Sequence, residues 1–270
     1  MVKGHQEITS WLHKAGPIAV AASGGVDSMT LAVLAHKVNP NSQIFHAVSP
    51  AVPKKATERV TAYGKKMGWN LKLVDALEFQ DQNYIKNPVN RCFYCKMNLY
   101  SVIAKNTNLQ IVSGTNTDDL GDYRPGLQAA KEESVVHPWV ESGFSKQMIR
   151  DMAAFLGLPD LESLPASPCL SSRVETGTAI SPRLLPVVDT VESFIRRDYK
   201  VETVRCRLRK EEIVIELDPS TRKSLKEANL SSLIAFTKEQ FLNVGYTKPI
   251  KIEDYRMGSA FVGKKEVIHG

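Results

Sequence analysis

Residues 17–38 read PIAVAASGGVDSMTLAVLAHKV: a continuous apolar run, a Ser-Gly-Gly turn, then a helical pattern. An apolar run without alternation suits a strand buried on both faces, and such strands belong to parallel sheets covered by helices. The unit recurs. QIFHAVS (43–49) predicts a second strand and KKATERVTAYGKKM (54–67) a second helix. NLKLVDA (70–76) and LQIVSGT (109–115) predict two more strands, and SKQMIRDMAAFLG (145–157) a helix capped by Ser145 and closed by Gly157. The expected fold class is α/β, a doubly wound parallel sheet whose ligands sit beyond the carboxyl ends of its strands.

The alternation stops at LPDLESLPASPCL (158–170), where three prolines crowd together. A boundary is expected there, with a first domain over 1–165 and a smaller α+β domain over 166–270. In the latter, SPRLLPVVDTVESFIRRD (181–198) predicts a helix with Ser181 as cap and Pro182 at its first position, Pro186 ending the first turn or kinking it. VETVRCRLR and EEIVIELD predict strands, 227–245 a helix, and KPIKIEDY a last strand.

Composition closes off several classes. Hydrophobic residues at 43% and charged ones at 24% fit a globular chain. The longest apolar runs, such as IAVAA, are far too short to span a bilayer, and no membrane partner is expected. MVKGHQEITS carries no apolar signal core, which points to a cytoplasmic protein. The excess of 35 Lys+Arg over 29 Asp+Glu favours phosphate-bearing partners, yet it is too thin for a dedicated nucleic-acid binder. Four cysteines make no disulfide scaffold; in a reducing compartment they read as metal ligands, catalytic thiols or core residues.

Chemistry concentrates at the first turn. Gly24 and Gly25 let the backbone bend sharply and bring N–H groups against an anion, and the helix N-terminus adds donors and a favourable dipole. Ser23 and Ser28 offer hydroxyls. Asp27 is out of place beside a phosphate unless it holds Mg²⁺ or fixes the loop through its amides. No Lys follows in the Walker arrangement, which argues against a P-loop NTPase. A tight strand-to-helix turn without ligand is the plain alternative.

Three further groups stand out. In GTNTDDLGDYRPG, Gly114 permits close approach to a nucleotide, Asp118, Asp119 and Asp122 gather negative charge suited to Mg²⁺ or a cationic ring, and Arg124 can hold a phosphate or carboxylate; a polar loop with a capping Asp is the bland reading. In TVRCRLRK, Arg205, Arg207 and Arg209 share one strand face and call for an anion, unless they form an edge paired with Glu212 and Glu216. Cys206, on the opposite face, reads as core. Cys169, among prolines and four residues before Arg173, reads as a reactive thiol whose thiolate the guanidinium favours. Cys92 and Cys95 in NRCFYCKMNLY leave three options open: a redox dithiol, a zinc site completed by His46 or His137, or part of an iron–sulfur cluster.

S-G-G-V-D-S resembles the pyrophosphate-binding loop of the N-type ATP pyrophosphatases, which adenylate a carboxylate or carbonyl oxygen so that a nitrogen or sulfur nucleophile can displace AMP. SGTNTDDLGDYRPGLQAA, ESGFSKQMIRDMAAFLGLP, SPCLSSRVETGT and VETVRCRLRKEEIVIEL, in this order along the chain, resemble one branch, the LarE family. That resemblance implies an ATP-dependent sulfur transferase acting on a carboxylate of a pyridinium dicarboxylate mononucleotide, in nickel-pincer nucleotide biosynthesis. It implies ATP on Ser23, Gly24, Gly25, Asp27, Ser28, Gly114 and Arg124, with Mg²⁺. It places the substrate, its phosphate included, on Arg173, Arg205 and Arg207 with Glu192 nearby. Cys169 is implied as the sulfur site, either sacrificing its own sulfur or joining Cys92 and Cys95 on a [4Fe-4S] cluster supplied by sulfide or a sulfur donor. A homo-oligomer is expected. The rival readings are a tRNA thiolase with the same loop and cluster, which should carry an RNA-binding extension or a denser basic face, an ammonia-using amide synthetase, which needs no C-x-x-C, and a zinc-stapled binding module.

Overall fold

The computed structural model describes residues 4–121, 125–256 and 259. Two units divide it: residues 1–81 with 90–167, and residues 82–89 with 168–270.

The first unit is built on a four-stranded sheet in the order β3-β2-β1-β4, with β1 Ile18–Ala21, β2 Gln43–Ala47, β3 Asn70–Val74 and β4 Gln110–Ser113. All three pairings are parallel. The continuous apolar run explains why β1 is central: every residue of it is buried, and its side chains alternate between two cores. Ile18 and Val20 pack with Met29, Leu31 and Val33 of the Val26–Val38 helix and with Ile8, Leu12, Ile149 and Met152. Ala19 and Ala21 pack on the other side with Phe45, Tyr100, Ile103 and Ile111. The sheet is therefore covered on both faces, as the strand–helix alternation requires. The Val26–Val38 and Lys54–Met67 helices start and stop where the pattern places them. The Lys146–Phe155 helix is capped by Ser145, whose hydroxyl accepts from the Met148 amide, and Gly157 follows it at φ 72°.

The second unit holds a mixed three-stranded sheet. β5 Val204–Leu208 pairs antiparallel with β6 Ile213–Leu217, which pairs in parallel with β7 Ile250–Asp254. The helices Leu185–Tyr199 and Glu227–Leu242 lie against it, joined by stacking of Phe194 on Phe236 at 3.8 Å. The first of these corrects the sequence reading. It begins at Leu185, not near Pro182, so Pro186 falls in its first turn. A proline there lacks an N–H that no helical carbonyl awaits, whereas a start at 182 would put it where one is required.

Residues 82–89 join this unit through hydrogen bonds no sequence pattern announces. Asn87 is fully buried and its amide donates to the carbonyls of Glu175 at 2.9 Å and Thr178 at 3.1 Å, while Ile180 N–H donates to Ile85 O at 2.9 Å. Among the described residues no helix is long and apolar enough to cross a membrane.

Candidate functional site

The strand order reverses between β1 and β4, and the loops leaving these two strands form the switch point of the first unit. The β1 loop is held open from behind. Gly24 takes φ 83°, and a Cβ there would meet Ala56 Cβ at 2.9 Å, so glycine is required on both counts. Arg59 Nη1 donates to Gly24 O at 2.7 Å, which fixes that carbonyl. Ser28, 5% exposed, braces the turn: its hydroxyl accepts from Ser23 N–H at 3.0 Å and donates to Gly25 O at 3.2 Å. Ser23 itself is exposed. Gly25 caps the Val26–Val38 helix with extended backbone and no side-chain cap, so the first-turn donors have no resident side-chain acceptor and suit an anion.

Gly114 has a role the sequence does not reveal. A Cβ on it would sit 2.6 Å from Ser28 N and 2.8 Å from Ser28 Cα, so the close approach it permits is between the exit of β4 and the first turn of the helix. The acidic loop beyond it is internally tied. Asp119 accepts from Asn116 N–H at 3.2 Å, and Asp118 accepts from Lys146 N–H at 3.0 Å. Thr117 N–H bonds Phe144 O at 2.9 Å, binding this loop to the start of the Lys146–Phe155 helix. Arg124 and Asp122 lie outside the described residues.

Asp27 is the electrostatic centre of the group. Its Oδ2 forms an ion pair with Lys146 Nζ, while Oδ1 is buried with no hydrogen-bond partner among the described residues. Burial pushes its carboxyl above the ordinary value, the ammonium of Lys146 offsets only part of this, and the charge of Asp119 adds to the rise. A carboxylate with one bare, buried oxygen next to a second acid is a setting that fits a divalent cation. Lys146 is a residue sequence reasoning missed; a lysine following a helix cap reads as surface. Arg59 was missed for the same reason.

The two histidines considered as zinc ligands serve elsewhere. His46 is buried, its Nδ1–H donates to Ala22 O at 2.8 Å and its Nε2 accepts from Thr57 at 2.9 Å. Burial holds its pKa down. His137 Nδ1 lies 2.9 Å from Ser113 Oγ. Cys92 and Cys95 are the second and fifth residues of the Arg91–Asn106 helix, three positions apart and so on one side of it, Cys92 exposed and Cys95 half-buried. Thiolates at a helix N-terminus are electrostatically favoured, and two soft donors there fit part of a zinc or iron–sulfur ligand set. Among the described residues, no three His, Cys, Asp or Glu side chains are gathered as a metal site needs.

In the second unit Cys169 is exposed and precedes the short turn Leu170–Arg173. Arg173 is 1% exposed and is spent on structure. It grips Glu192 with Nε and Nη2, both at 2.8 Å, and Nη1 donates to Pro168 O at 2.7 Å and Cys169 O at 3.1 Å. Glu192 also accepts from Arg196 at 2.6 Å and from Cys206 N–H at 2.9 Å. Burial pushes the Glu192 carboxyl up, but Arg173, Arg196 and that amide together hold it below its usual range.

The arginine strand divides by residue. Arg207, 6% exposed, pairs with Glu216 at 2.9 Å and donates to Ser172 O at 2.8 Å. Arg209 pairs with Glu253 at 2.9 Å and Glu212 at 3.3 Å. For these two, carboxylates of the neighbouring strands supply the anion. Arg205 differs. Its guanidinium lies over the Tyr255 ring and donates to Val204 O at 2.8 Å; no carboxylate pairs with it among the described residues. Burial, then the positive charge of Arg173, lowers its pKa. Cys206 is buried, and burial raises its thiol well above the ordinary value, as a core cysteine should behave.

No family model matches the chain. An uncharacterized protein of Synechocystis sp. is 35% identical over 247 residues, covering 88% of this chain and 90% of that one. An uncharacterized protein of Methanocaldococcus jannaschii is 29% identical over 244 residues, with the same coverage. The pyridinium-3,5-bisthiocarboxylic acid mononucleotide synthase of Lactiplantibacillus plantarum is 28% identical over 207 residues, 74% of each chain.

Proposed function

We propose that the chain, which is 28% identical to a pyridinium-3,5-bisthiocarboxylic acid mononucleotide synthase, is a LarE-like, ATP-dependent sulfur transferase converting a carboxylate of a pyridinium dicarboxylate mononucleotide to a thiocarboxylate. The observation that carries this reading is the Ser23–Ser28 turn at the switch point, with glycines required by backbone and packing, an uncapped helix entrance, and the half-buried Asp27 carboxylate beside it.

In this reading the substrate carboxylate oxygen attacks the α-phosphorus of ATP, and pyrophosphate leaves into the amides of Gly24, Gly25 and the helix entrance. Arg59 keeps those amides facing the leaving group by holding Gly24 O from behind. Asp27, whose Oδ1 has no hydrogen-bond partner among the described residues, would hold Mg²⁺, which would supply charge to neutralise the phosphates. Arg205, in no ion pair with a carboxylate among the described residues, takes the phosphate of the mononucleotide, and the Arg207–Glu216 pair keeps its strand in place. Sulfide then adds to the acyl carbon and AMP departs, leaving the thiocarboxylate. A [4Fe-4S] cluster on Cys92, Cys95 and Cys169 would supply the hydrosulfide. Arg173 fixes the Cys169 carbonyl, and with it the direction of the thiol-bearing turn.

Pyrophosphate release by protein purified without oxygen tests the assignment. The expected result is release that depends on the mononucleotide and is absent with bulk tRNA. Release driven by tRNA, with none from the mononucleotide, would transfer the chain to the tRNA thiolases.

A further inference from the structure

Lys146 does something the adenylation scheme does not require. Its backbone is fixed twice over: Ser145 caps the helix it begins, and its N–H is held by Asp118 at 3.0 Å. Among the described residues its side chain is anchored at the tip alone, by the ion pair with Asp27 Oδ2. The two side chains are 36% and 21% exposed, so water partly screens the attraction between them. The ammonium is thus placed to neutralise Asp27 and is easily drawn off. A polyphosphate at the adjacent helix entrance carries far more negative charge than one carboxylate, so it would win the ammonium, and the vacated carboxylate would then accept the metal.

Resting on the reading of this loop as the ATP site, we propose that Lys146 is a resident counter-ion that denies Asp27 to free divalent cations until a nucleotide's phosphates draw the ammonium away, so that metal enters only with nucleotide. The bare Oδ1 of Asp27 and the nearby charge of Asp119 are what the lysine restrains in the empty site.

Mn²⁺ binding without nucleotide, followed through the spin-resonance signal of the unbound ion, decides it. Wild-type protein is expected to bind weakly, and Lys146→Gln at least about tenfold more tightly, the gain of removing one adjacent positive charge. The gain should vanish in the Lys146→Gln, Asp27→Asn double variant, and Lys146→Arg, which keeps the charge, should stay weak. Tight binding by wild type or by Lys146→Arg would overturn the proposal even if Lys146→Gln fails to fold, and so would an unchanged affinity in a folded Lys146→Gln. Failure of wild type to take up a non-hydrolysable ATP analogue with Mn²⁺ would overturn the nucleotide reading together with this one.

Discussion

Glu192→Gln should destabilise the second unit by about 3 kcal/mol or more, because it removes the charge that answers a fully buried guanidinium. Arg173 is 1% exposed and cannot turn to water, whereas Arg196, at 29%, can. For a unit of this size the loss corresponds to a fall in melting temperature on the order of 10 °C, measurable by calorimetry. The paired substitution Arg173→Met, Glu192→Leu should recover much of the stability, since an apolar pair leaves no unmatched charge. It should not recover the hold on Pro168 O and Cys169 O, which only the guanidinium provides. The pH dependence follows with a definite sign. The folded-state carboxyl of Glu192 is held below its ordinary value, so its contribution is complete above the usual carboxylate range and is lost as pH falls through the depressed value. The glutamine variant should lack that part of the acid-induced loss.

Cys169→Ser should separate the two halves of the reaction. Pyrophosphate release should persist, because the proposed pyrophosphate loop does not include Cys169, while thiocarboxylate formation should drop by at least about a thousandfold. Cys92→Ser should also abolish repeated sulfur transfer, with loss of iron from the anaerobically purified protein. Mass analysis of Cys169 after turnover distinguishes the routes. In the cluster route the residue keeps its sulfur; conversion to dehydroalanine by loss of H₂S marks the sacrificial one.

The architecture was legible because its signals are local. The unbroken apolar run of β1 announces two-sided burial, and the Val26–Val38 and Lys54–Met67 helices follow from spacing alone. The Ser-Gly-Gly turn was legible too, since a glycine at φ 83° packed on Ala56 leaves little other choice of residue. What stayed hidden is non-local. Asp27 and Lys146 are 119 positions apart, Arg59 meets Gly24 across 35, and Asn87 meets Glu175 across 88. Nothing near a surface-like lysine or arginine tells which carboxylate or carbonyl it will reach. The arginine strand shows the same limit. Alternation placed Arg205, Arg207 and Arg209 on one face with Glu212 and Glu216 as possible partners, but only the folded side chains show that Glu216, opposite Arg205 in register, pairs instead with Arg207, that Glu253 takes Arg209, and that Arg205 is left without an ion-paired carboxylate among the described residues.

The most direct test is the mass of the nucleotide product after anaerobic incubation with ATP, Mg²⁺, sulfide and a pyridinium dicarboxylate mononucleotide. The account predicts a product in which a carboxylate oxygen has been exchanged for sulfur, with one AMP and one pyrophosphate formed per exchange. Hydrolysis of ATP that leaves the mononucleotide at its original mass would contradict it.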